Sequence, residues 1–89
     1  MITAAQMRAA RALLGIDQRQ LAGLAGVSLP TIRRMEASEG TVRGVVDSLT
    51  KVVDALERAG IELIGEHRAS LDGGRGVRLR EAPPRRQAE

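Results

Sequence analysis

The stretch from Gln18 to Met35, QRQLAGLAGVSLPTIRRM, constrains the fold of this chain more than any other. Leu21, Ala22 and Ala25 recur at spacings of one, three and four, the apolar stripe of a helical face turned inward. Gly26 follows, a residue free to take the positive φ at which a helix stops and turns. Val27 is placed to plug the space beneath that turn. Ser28 is a good N-cap for a following helix, and Pro30 sits in its first turn, where a missing N–H costs nothing. Ile32 and Met35, three apart, face inward together. At about 100° per residue, Arg34 then lies about 200° from Ile32 and Pro30 about 160° from it, both on the outside. Two short helices must therefore cross over a glycine turn, the second presenting arginines outward.

That arrangement is a helix-turn-helix, which sets its second helix in a DNA major groove. The rest of the chain predicts a small, mostly α domain around it. Thr3 caps a first helix running to about Leu14, with Met7, Ala10 and Leu14 inside and Gly15 ending it. Asp17 caps the second, to about Ala25; the third spans about 29–37. Ser38-Glu39-Gly40 breaks that helix, and residues 41–46 connect, with room for one helical turn. A long helix starts at Asp47 or Ser48 and runs to about Ala59, with Leu49, Val52, Val53 and Leu56 as its apolar stripe and Gly60 as its cap. After Gly60 the period changes from helical to two. Ile61–Ile64 and Val77–Arg80 alternate as half-buried strands do, on either side of the polar, glycine-rich segment 65–76. A lone hairpin is barely stable in water, so this one must pack on the long helix or pair with another subunit. Residues 1–60 are expected to be the DNA-binding domain, 61–80 a hairpin extension suited to dimerisation, and 81–89 a disordered basic tail.

Composition enters where it excludes. The chain has 89 residues and no Phe, Tyr or Trp, so its core must come from Leu, Ile, Val, Met and Ala. A core that light gains from dimerisation. With no Cys and one His, the sequence offers neither a thiolate metal site nor an acid–base set, and neither enzyme activity, metal nor cofactor is expected. His67 stands alone in a polar loop, and Asp72-Gly-Gly-Arg-Gly76 reads as a turn because no strand–glycine–helix order supports phosphate cradling. No apolar run is long enough for a membrane span or a signal segment, and a cytoplasmic, nucleoid-associated protein is expected.

Charge is segregated along the chain. Residues 1–46 hold six arginines against three acids, a net of +3; residues 47–74 hold three bases against six acids, a net of −3; residues 75–89 return to +3. Such a distribution suits a polyanion at one face and a different partner at the acidic part. The tail arginines serve either as a non-specific DNA arm or as solubilising charge.

Three motifs together make the chain resemble the lambda-repressor-like, or xenobiotic-response-element, helix-turn-helix family of bacterial and phage regulators. These are R-x-L-L-G at Arg11–Gly15, D-Q-x-Q-L-A at Asp17–Ala22, and G-V-S-x-x-T-I-R-R-x-E at Gly26–Glu36. The similarity continues in A-L-E-x-A-G-I-E at Ala55–Glu62, so that it covers about the first 64 residues. The resemblance implies a compact domain of four to five helices. It also implies that Gln18 hydrogen-bonds a backbone phosphate, that Ser28 is the N-cap beside the DNA, and that Leu29, Pro30 and Arg34 read base edges. Thr31 and Arg33 accompany them, and Arg43 lies in a loop along the phosphates. Arg11 and Glu36 match a partly buried ion pair that ties the first helix to the third. Arg34 can offer a bidentate fork to guanine O6 and N7, worth about 1–3 kcal/mol of discrimination; Arg33 suits a base or a phosphate. Leu29 and Pro30, without side-chain donors, give apolar contact with thymine methyls or little readout.

The function so implied is that of a sequence-specific regulator of transcription, most simply a repressor, binding a near-palindromic operator in duplex DNA as a homodimer. The alternative is the antitoxin of a toxin–antitoxin pair, holding a protein partner through its C-terminal half and DNA for autoregulation.

Overall fold

A computed structural model describes residues 2–42, 44, 46–65 and 73–80. Among them run four helices and two strands: α1 (Ala4–Leu14), α2 (Gln18–Ala25), α3 (Leu29–Glu36), α4 (Val46–Arg58), β1 (Ile61–Ile64) and β2 (Gly76–Leu79). The mostly helical expectation with a C-terminal hairpin holds, and the described helices number four.

Local chemistry sets the helix boundaries. Thr3 and Asp17 both open capping boxes. Each side chain accepts from the backbone N–H three residues on, while Gln6 and Gln20 reach back to the N-cap N–H. Gly15 (φ 70°) and Gly26 (φ 71°) end α1 and α2 in the left-handed conformation. Helix α4 begins at Val46, one residue earlier than Asp47. Its buried face is Leu49, Val52, Ala55 and Leu56, whereas Val53 is half-buried on the flank.

Beyond Gly40, which turns the chain at φ 72°, Thr41 and Val42 run alongside the N-terminus rather than in a helical turn. The Ala4 N–H donates to the Gly40 carbonyl (3.0 Å), the Val42 N–H to the Ile2 carbonyl (3.0 Å), and Thr3 bridges Thr41. The N-terminus thus straps the α3–α4 connector, and Val42 is buried under it. A strap needs partners forty residues apart in sequence, which no local pattern reveals.

The core is aliphatic throughout. Met7, Leu21, Ile32, Met35, Val52, Leu56 and Ile61 are fully buried, with alanines 4, 10, 22, 25 and 55 where backbones approach. The hairpin is antiparallel, with Ile61 opposite Leu79 and Ile64 opposite Gly76. It packs on α4 through β1 and on α1 through β2. One side chain of α1 hydrogen-bonds both strands. Buried Gln6 closes its capping box with Oε1 and donates from Nε2 to the carbonyls of Ile64 (3.0 Å) and Gly76 (2.8 Å). One amide thereby caps a helix and clamps the loop end of the hairpin. Among the described residues, no helix is long and apolar enough to cross a membrane.

Candidate nucleic-acid interface

The α2–turn–α3 unit is built from the turn outward. The Gly26 and Val27 N–H groups both donate to the Ala22 carbonyl (3.1 Å from Val27), closing α2 with paired bonds to one acceptor. Val27 lies half-buried against the core, as a plug beneath the turn should. Ser28 is extended (φ −78°, ψ 155°). Its Oγ accepts from the Thr31 N–H (3.2 Å) and lies 2.8 Å from Thr31 Oγ1. Ile32 and Met35 are fully buried. With them inward, Pro30, Arg33 and Arg34 are exposed and Leu29 and Thr31 are half-buried, all on a helix of eight residues. Neither the Arg33 nor the Arg34 guanidinium is held by a hydrogen bond or ion pair among the described residues. Two unpaired cations on one short, exposed helix face make a local positive surface with all its donors free.

Beneath this face lies a polar network centred on Glu36, whose side chain is only 3 % exposed. Arg11 grips it in a bidentate fork, Nε to Oε2 at 2.7 Å and Nη2 to Oε1 at 2.8 Å. Gln18 Nε2 donates to the same Oε1 at 3.1 Å. Arg11 Nη1 also donates to the Ile16 carbonyl (3.3 Å), and Arg8 Nη1 to the main-chain carbonyl of Glu36 (2.6 Å). Helices α1, α2 and α3 are therefore pinned through one carboxylate, and cations sit at the C-terminal ends of α1 and α3, where the helix dipole favours them. The hydrogen bond that Arg11 donates to Glu36 holds its guanidinium above the ordinary range, with partial burial opposing and the charges of Glu36 and Asp17 adding to it.

Not every residue of the expected DNA-facing set is on that surface in the same way. Ser28, Pro30, Arg33 and Arg34 are exposed together around α3, with Thr31 and Leu29 half-buried among them. Gln18 stands at the start of α2 with its amide NH₂ turned to Glu36. Arg43 lies outside the described residues, as do His67 and the tail arginines Arg85 and Arg86. Two positioning residues escaped the sequence reading. Arg8 secures the end of α3, a contact between segments far apart in the chain. Gln6 had a visible signal, since T-A-A-Q at Thr3–Gln6 is a capping-box pattern; that its amide continues to the hairpin was not visible.

No curated protein matches this chain. Residues 7–44, which span α1 to the connector after α3, match the model of the Helix-turn-helix family. The span holds the glycine turn, the capped α3 and its outward arginines. Over residues 7–44, somewhat less than half of its length, the chain is thus similar to the helix-turn-helix family.

Proposed function

We propose that this protein is a sequence-specific regulator of transcription, a repressor that binds duplex DNA as a homodimer and inserts α3 into the major groove. The observation that carries the proposal is the free, exposed guanidinium pair of α3 on a helix fixed from below by Ile32, Met35 and the Glu36 network. A reading helix needs donors uncommitted within the protein and a backbone that does not yield when they bind. Arg34 supplies the base-reading fork, and Arg33 a base or phosphate contact. Ser28, Leu29, Pro30 and Thr31 form the surface nearest the bases. Gln18 and Arg43, with backbone N–H groups at helix N-termini, contact phosphates and set the register. In a dimer, two such helices read half-sites about one helical turn apart.

Fluorescence anisotropy against duplexes tiling the DNA upstream of the protein's own gene tests this, with scrambled duplex as control and two salt concentrations. Arg34→Ala is expected to reduce discrimination between the best tile and scrambled DNA by about tenfold or more. Arg43→Ala is expected to weaken all duplexes evenly. No binding at low salt overturns the reading. Equal, salt-sensitive binding to every tile removes the sequence-specific part.

A second reading, the antitoxin, draws on the acidic 47–74 segment beside the apolar groove of α4 and β1. Co-purification of a second small protein, encoded next to this one, separates it from the first.

A further inference from the structure

Helix α4 carries two parallel stripes outside its buried face. Val46, Thr50, Val53 and Glu57 follow the spacing four-three-four and, with Leu49 and Leu63, line an open groove of about 510 Å³ between α4 and β1. Val46 is 74 % exposed at the mouth of this groove, the most exposed large hydrophobic side chain among the described residues. One position further along each step run Asp47, Lys51, Asp54 and Arg58, all exposed and at the same spacing. Their signs alternate along the helix.

We propose that this double stripe is the surface through which two copies of the chain associate, α4 against α4 antiparallel about a two-fold axis. The inference rests on the homodimer reading above and says where the interface lies. The argument is charge complementarity under that symmetry. Reversing an alternating row places every acid opposite a base: Asp47 meets Arg58 of the second copy, Lys51 meets its Asp54, and each pair occurs twice. The apolar stripe superposes on itself about a centre one residue away, a shift of about 1.5 Å along the helix, with Thr50 near Val53 of the second copy and Val46 near the methylene stem of its Glu57. A parallel arrangement would set acid on acid and base on base. Within one copy, Lys51 Nζ lies 3.3 Å from Asp47 across a single helical turn, an exposed contact that leaves both charges available to a second copy.

Sedimentation equilibrium of the full chain tests this, with circular dichroism to show that each variant keeps its helices. All substitutions fall on exposed side chains. Lys51→Asp and Asp54→Lys, each alone, are expected to weaken dimerisation by about tenfold or more, and the double charge swap to recover most of it. Val46→Asp is expected to give monomer. Single variants that dimerise like the wild type, or a double swap that fails to recover, overturn this surface while leaving the homodimer standing. A wild-type chain that stays monomeric at high concentration overturns the homodimer and this surface together, and leaves the groove to residues 81–89 or to a different protein.

Discussion

Among single residues, Glu36 has the largest structural consequence. Its carboxylate accepts from Arg11 and Gln18, and its main-chain carbonyl from Arg8, so three helices meet at one side chain. Glu36→Ala strands a partly buried guanidinium and is expected to cost about 3 kcal/mol, read as a lower urea midpoint. Arg11 is held above its ordinary range in the folded state, so the stability it adds is complete below that range. It is lost only as pH climbs through the higher folded value. Titration from neutral to about pH 10 is therefore expected to show no loss traceable to Arg11, checked by comparing wild type with Arg11→Met along the same series. Arg33 and Arg34, by contrast, hold no partner among the described residues. Arg34→Ala is expected to leave the thermal midpoint nearly unchanged, within about 0.5 kcal/mol, which separates a recognition role from a structural one.

At the scale of elements, the turn and the hairpin respond to different changes. Gly26 sits at φ 71° with open space where a Cβ would go, so Gly26→Ala meets no clash. Its cost is backbone alone, about 1–2 kcal/mol, because an L-residue must adopt the left-handed region there. The hairpin instead depends on a side chain outside it. Gln6→Ala removes two hydrogen bonds to strand carbonyls and half a capping box in a buried place, an expected loss of about 2 kcal/mol. Hydrogen exchange gives the check: amides of β1 and β2 are expected to lose protection more than those of α2 and α3. Uniform loss across the chain would mean that the hairpin opens only with the whole domain.

Across the whole molecule, charge follows the fold. The helix-turn-helix half is basic and the segment from Asp47 to Gly74 is acidic, so a polyanion is drawn to the first and away from the second. DNA affinity is accordingly expected to fall steeply with salt. A complex with about six phosphate contacts loses roughly a thousandfold between 50 and 200 mM, and the slope of log affinity against log salt counts the contacts. The absence of aromatic residues leaves a core of aliphatic side chains and alanines, whose packing over 89 residues gives a small margin.

The elements of this fold were legible in the sequence because each is specified locally. Thr3, Asp17 and Ser28 satisfy N–H groups three residues away, Gly15 and Gly26 supply the conformation that ends a helix, and the shift from helical to alternating period marks where α4 gives way to β1. The outward aim of Arg33 and Arg34 was legible for the same reason, since Ile32 and Met35 dictate the inner face of one short helix. Long-range partners were not. Whether Gln6 ends its bonding at Thr3 or goes on to Gly76, whether Arg8 reaches the end of α3, and whether residues 40–42 curl or lie strapped to Ile2 depend on segments far apart in sequence meeting in space. Sequence determined which helices and strands form, since capping and periodicity act within a few residues. Tertiary structure alone decided how they are tied together, because a hydrogen bond across seventy residues exists only after the core has brought its ends within 3 Å.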